Sequence, residues 1–114
     1  MKRILGLLLC LAALLALPAA AQAAPPTTTI YGANWGDDDS KVEVEFLSEG
    51  ATTIECSVDE IIAWYECGSE AYEWNGKLRV WFEIWPYYTQ GHCFYIRGTN
   101  EDGTEAEPPC YYRE

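Results

Sequence analysis

The sequence predicts an all-β fold, and three observations carry that prediction. Apolar and polar residues alternate strictly in several short runs. Turn signals separate those runs about every 8–12 residues. Aromatic and β-branched types dominate them, with five Trp, eight Tyr and three Phe in a chain of 114 residues. A chain of this length holds one domain at most.

The first residues stand outside that pattern. Met1-Lys2-Arg3 is positively charged, residues 4–17 are apolar apart from Gly6, Pro18 ends the run, and Ala21-Gln22-Ala23 offers small side chains. This is the layout of a secretory signal cut between Ala23 and Ala24. The run falls short of the ~20 residues a membrane-spanning helix needs. Cys10 follows Leu9 inside the apolar run, whereas a lipoprotein signal places a small residue before its cysteine. The expected organisation is a signal peptide over 1–23, a short Pro/Thr linker over 24–29 and a single domain over 30–114. Its expected location is outside the cell or in a periplasm, with no membrane attachment after cleavage.

Within the domain, residues 30–35 form a first strand closed by Gly36 and the acidic turn Asp37-Asp38-Asp39. Val42, Val44 and Phe46 then oppose Lys41, Glu43 and Glu45, the pattern of a half-buried strand. Ser48-Glu49-Gly50 ends it. Thr52, Ile54, Cys56 and Val58 alternate with Thr53, Glu55, Ser57 and Asp59 in the next. Over 59–67 the spacing of Ser57 and Glu60 fits a helix cap, but the β-branched and aromatic content favours a strand. Asn75-Gly76 is the favoured two-residue hairpin turn, so 71–74 should pair with 77–85. Residues 93–97 are apolar on both faces, as in a central strand. Asn100-Glu101-Asp102-Gly103 turns the chain into a last arm over 104–112. About seven short strands in this order predict a small β-sandwich of immunoglobulin-like or Greek-key type.

Four cysteines follow the leader: Cys56, Cys67, Cys93 and Cys110. An even number in a short exported chain predicts two disulfides, with three connectivities open. A hairpin centred between Glu101 and Asp102 sets Cys93 opposite Cys110, which favours that pair and leaves Cys56 with Cys67. The absence of a C-x-x-C pair, with His92 as the sole histidine, argues against zinc. No metal or cofactor is expected. Asp37-Asp38-Asp39, with Glu101 and Asp102, is a weak calcium pattern, because adjacent carboxylates rarely all point inward. It reads better as a solvated turn.

Removal of the leader leaves Lys41, Lys77, Arg79, Arg97 and Arg113 against 18 acidic residues, a net charge of −13. Such a surface repels phosphates, which excludes nucleic acid and anionic lipid as partners. It favours solubility, or steering towards a basic protein. Nucleophile motifs are missing around Ser40, Ser48, Ser57 and Ser69. With so many acids, a carboxylate pair carries little information. A non-enzymatic monomer is expected.

The strand over 77–85 holds the candidate binding residues. Leu78, Val80, Phe82 and Ile84 form a core face, whereas Lys77, Arg79, Trp81, Glu83 and Trp85 form the other, followed by Pro86-Tyr87-Tyr88. Large rings among charges on a solvent face suit stacking on sugar rings or anchoring a protein. The alternative is that this face is covered by a loop or by the second sheet. Trp81, Trp85, Tyr87 and Tyr88 are the predicted site, for a carbohydrate or a secreted protein.

The runs Arg79-Val80-Trp81-Phe82-Glu83 and Thr89-Gln90-Gly91-His92-Cys93-Phe94 resemble the strand–turn–cysteine pattern of small actinobacterial α-amylase inhibitors. That resemblance implies a secreted sandwich with two sequential disulfides and an aromatic–arginine–aromatic triplet. Here Trp64-Tyr65 lies between the first two cysteines without an arginine between the rings. The leading expectation is therefore a secreted binding module. An inhibitor of an extracellular hydrolase such as an amylase is second, and a small carboxylate-dependent hydrolase third.

Overall fold

A computed structural model describes residues 24–35, 39–59, 63–84 and 88–114. The expected leader over 1–23, Asp37, Asp38, the 60–62 stretch, Trp85 and Tyr87 lie outside the described residues. In chain order the elements are β1 (Thr27–Asn34), β2 (Lys41–Glu49), β3 (Thr53–Val58), β4 (Tyr65–Glu66), a 3₁₀ turn (Gly68–Glu70), β5 (Tyr72–Trp74), β6 (Lys77–Glu83), β7 (Cys93–Asn100), β8 (Gly103–Thr104) and β9 (Cys110–Tyr112).

They build two antiparallel sheets, one in the order β1-β2-β6-β5 and one in the order β4-β3-β7-β8 with β9 also on β7. The chain changes sheet after β2, β4 and β6. This is the A-B-E-D layer of an immunoglobulin-like sandwich facing a C-F-G layer extended by β4. The predicted β-sandwich is thus the observed one.

The alternation read along 41–46 and 77–84 supplies the core. Val42, Val44 and Phe46 of β2 and Val80 and Phe82 of β6 meet Cys56, Cys67, Phe94 and Ile96 of the other layer, all buried. The rings of Phe82 and Phe94 touch across the layers at 5.0 Å between centroids. Each such large side chain stabilises the fold by ~1.5–3 kcal/mol. At the β5–β6 turn, Asn75 and Gly76 both adopt positive φ (51° and 82°), as a type I′ hairpin requires.

Three local expectations need amendment. β1 begins at Thr27, inside the stretch read as a linker, because Thr28 is buried and held by Glu105. The strand expected over 59–67 is reduced to Tyr65–Glu66 among the described residues. Asp59 sits at φ 63° and donates its amide to Cys93 O at 2.7 Å, while its carboxylate accepts the Cys93 amide at 2.8 Å. That local clamp turns the chain out of the sheet. In the last hairpin, Asn100 faces Gly103 and Thr99 faces Thr104, the register expected from the turn. Beyond Glu105–Pro109 the register has moved by two residues, so Cys93 faces Tyr112 and Tyr95 faces Cys110. Proline cannot donate to the ladder, which accounts for the slip at Pro108-Pro109.

Cys93–Cys110 therefore runs diagonally across the ladder, with 5.6 Å between Cα atoms, and Cys56–Cys67 closes the second bridge at 5.8 Å. Both favoured pairs form. Two disulfides fit an oxidising, extracellular environment. Among the described residues no helix is long and apolar enough to cross a membrane.

Candidate binding face

β2 and β6 form the centre of the first sheet, paired from Lys41 with Glu83 to Phe46 with Leu78. Since Val42, Val44, Val80 and Phe82 point inward, alternation turns Lys41, Glu43, Glu45, Arg79, Trp81 and Glu83 outward. The Asn75-Gly76 turn sets Tyr72 of β5 opposite Arg79 and Trp74 opposite Lys77. Tyr31 joins from β1, at the bulge between Ile30 and Gly32. Tyr31, Tyr72, Trp74 and Trp81 are each between 41% and 50% exposed, so the face is open.

The charged groups among these rings are paired. Arg79 donates from Nε to Glu45 at 3.1 Å and lies 3.6 Å from a Glu43 oxygen. Its guanidinium carbon stands 4.9 Å from the centre of the Trp74 ring. The Tyr72 hydroxyl donates to the Glu43 carboxylate. That hydrogen bond, reinforced by desolvation, raises the Tyr72 phenol above its ordinary value. Desolvation opposes the charge of Arg79, but its bonds to Glu45 and Tyr72 and the neighbouring carboxylates outweigh it and raise its pKa. Lys41 pairs with Glu83 at 3.3 Å, and Lys77 Nζ sits 4.8 Å from the Tyr31 ring centre. Three cations thus balance three carboxylates across the paired strands.

At the Trp81 end, a hollow of about 420 Å³ is lined by Lys41, Glu70, Trp81 and Glu83. Glu70 is supplied by the 3₁₀ turn. A half-exposed indole beside two carboxylates and an ammonium offers an apolar platform next to hydrogen-bonding groups.

The outer side of the second sheet is occupied differently. Arg97 pairs with Glu55 at 2.8 Å and packs 4.1 Å from the Trp64 ring centre, and that ring meets Tyr95 edge-on at 6.2 Å. Ser57, on the same side by alternation, is fully buried.

Of the four predicted site residues, Trp81 stands on the open face. Tyr88 is 67% exposed but lines a separate hollow with Asp39 and Gln90. Trp85 and Tyr87 lie outside the described residues. Tyr31, Tyr72 and Trp74 were not anticipated as site residues. The signal for two of them was present, because a two-residue turn at Asn75-Gly76 puts Tyr72 and Trp74 level with Arg79 and Lys77. Tyr31 depends on the β1 bulge, which no local pattern announces.

In the acidic turn, Asp39 pairs with the buried Arg113 at 3.5 Å, while Asp37 and Asp38 are not described. Arg113 also donates to the Thr89 hydroxyl and stacks 4.5 Å from the Trp35 ring centre. Among the described residues no group of three or more His, Cys, Asp or Glu is arranged to hold a metal. His92 precedes β7 and bonds the Asp59 carboxylate through Nδ1. Burial would raise the Asp59 carboxyl, but the Cys93 amide and His92 more than offset it and lower its pKa.

Comparison with protein-family models, curated proteins and solved structures finds no match for the chain.

Proposed function

We propose that the chain is a secreted, non-catalytic binding module that takes a carbohydrate on the outer face of its first sheet. The observation that carries this reading is the grouping of Tyr31, Tyr72, Trp74 and Trp81 on one open face. Aromatic rings exposed to this extent lose free energy to water unless a ligand covers them, and sugar rings present flat C–H faces that suit them. The carboxylates of Glu70 and Glu83 lie where hydroxyl donors of a stacked sugar need acceptors.

The test is retention of the mature domain on a panel of insoluble polysaccharides, with Trp81→Ala and Trp74→Ala beside the wild type. Circular dichroism checks that each variant is folded. Retention by the wild type and its loss in both folded variants is the expected result. A wild type retained by no polysaccharide overturns the reading.

A protein partner is the second reading, with inhibition of an extracellular hydrolase as its concrete form. It is favoured by the acidity of the chain and by Tyr88, which stands exposed beside Asp39 and Gln90. Binding to a basic enzyme would weaken steeply with salt, whereas stacking on sugar would not.

A further inference from the structure

We infer that the ligand of the first sheet's outer face is an uncharged, linear polysaccharide lying along β6, stacked on Trp81 at one end and on Trp74 at the other. The inference rests on the carbohydrate reading above and adds the length and the charge of the ligand.

Length follows from register. Trp74 faces Lys77, and Trp81 lies four residues further along β6. At ~3.3 Å per residue the two positions are ~13 Å apart along the strand direction. A single sugar ring cannot stack on both, so joint use of the platforms requires several linked units. The row between them holds Tyr72, Arg79 and Glu45, which face one another across three strands.

Charge follows from where the cations lie. Five basic residues follow the leader, and Lys41, Lys77 and Arg79 are all on this face. They stand among Glu43, Glu45, Glu83 and the Glu70 of the Trp81 hollow, three cations to four carboxylates, so the face is close to balanced on a chain that is otherwise strongly acidic. Two of the three are already held by carboxylates of the chain, and the third rests on a ring. Lys41 is held by Glu83, Lys77 lies over Tyr31, and Arg79 is shared between Glu43 and Glu45. An anionic polymer meets one cation without a carboxylate partner, Lys77, and is repelled by the surrounding acids. A cationic polymer is drawn to those acids rather than to the balanced face. The charge pattern therefore complements an uncharged chain.

Arg79 is the positioning residue of the arrangement. Its planar guanidinium is forked between two carboxylates and stacked on Trp74, which fixes the tilt of that indole before any ligand arrives. It acts on the ligand through Trp74.

The experiment is native affinity electrophoresis of the mature domain in gels containing a soluble neutral glucan, xylan or mannan, polygalacturonate, or chitosan. It is followed by titration with a disaccharide and a hexasaccharide of the polymer that retards best. Retardation is expected in a neutral polymer and should persist at about 1 M NaCl, where charges are screened beyond ~3 Å. The hexasaccharide should bind at least about tenfold more tightly than the disaccharide. Trp81→Ala and Trp74→Ala should each remove that advantage. Arg79→Met should behave as Trp74→Ala does, with partial recovery in Arg79→Lys.

Preferential, salt-sensitive retardation by polygalacturonate or chitosan overturns the uncharged ligand while leaving the carbohydrate reading in place. A folded Trp74→Ala variant with full hexasaccharide affinity overturns the span in the same way. Retardation by no polymer removes the carbohydrate reading itself.

Discussion

The carboxylate of Glu105 accepts both the amide (2.8 Å) and the hydroxyl (2.6 Å) of Thr28, a residue 77 positions earlier in the chain. The same carboxylate accepts the Gly98 amide at 3.2 Å. One side chain therefore ties β1 of the first sheet to β7 of the second at the edge of the sandwich. Hydrogen bonds to an ionised group contribute ~1.5–3 kcal/mol each before coupling is considered. Glu105→Ala should lower the unfolding free energy by about 2–3 kcal/mol, and Glu105→Gln by less. Urea midpoints of the oxidised domain measure both.

Gly98 packs directly against residues of the first sheet and the segments beside it at that edge. A β-carbon on it would lie 2.8 Å from Pro26 Cβ and 2.9 Å from Ala51 Cβ, and would also collide with the Ser48 hydroxyl. Carbon atoms cannot approach so closely, so the strands must shift. Gly98→Ala should destabilise by about 1–3 kcal/mol, the usual effect of overpacking. Thermal unfolding would show it, and an unchanged midpoint would mean that the edge yields freely.

Asp59 should make stability depend on pH. Its carboxyl is held below its ordinary value near 3.8 in the folded chain. The stabilisation is therefore fully present above that ordinary value, and is lost as pH falls through the lower folded value. Asp59→Asn keeps a residue that tolerates the positive φ of this position while removing the charge. The variant should be less stable than wild type at neutral pH, and the difference should shrink in acid. Denaturant titrations at a series of pH values below 5 or so test the sign.

The two disulfides should respond differently to reductant. Cys56 and Cys67 are buried in the core, whereas Cys93 and Cys110 are partly exposed beside the last hairpin. A thiolate must reach sulfur to exchange with it. Under mild reduction, Cys93 and Cys110 should be alkylated first, as mass spectrometry would detect. Replacing either pair by alanine should cost about 2–4 kcal/mol.

Much of the architecture was legible in the sequence because short-range chemistry determines it. Alternation over 41–46 and 77–84 specified which side chains enter the core, and Asn75-Gly76 specified the β5–β6 register. The turn before Gly103 pointed to the cysteine pair that forms, although Cys93 and Cys110 are joined diagonally rather than face to face. What sequence could not supply were features created by distant partners. The clamp between Asp59 and Cys93 and the early start of β1 against Glu105 depend on groups far apart in the chain, whereas the two-residue slip has a local cause, Pro108-Pro109, that weakens the ladder without dictating the new register. The candidate face was only partly legible for the same reason. Trp81 announced itself by its charged neighbours, whereas Tyr31 reaches the same face through a bulge.

Both disulfides lie within the β4-β3-β7 layer and its flanks, and the aromatic face lies on the other layer. The cross-links and the rings of that face share no strand. Side chains on the outer surface of β1, β2, β5 and β6 can therefore be exchanged without disturbing a single covalent bridge. The domain is built as an anchored plate carrying an interchangeable one, so a library randomised at positions 31, 72, 74 and 81 should yield folded proteins with altered preferences.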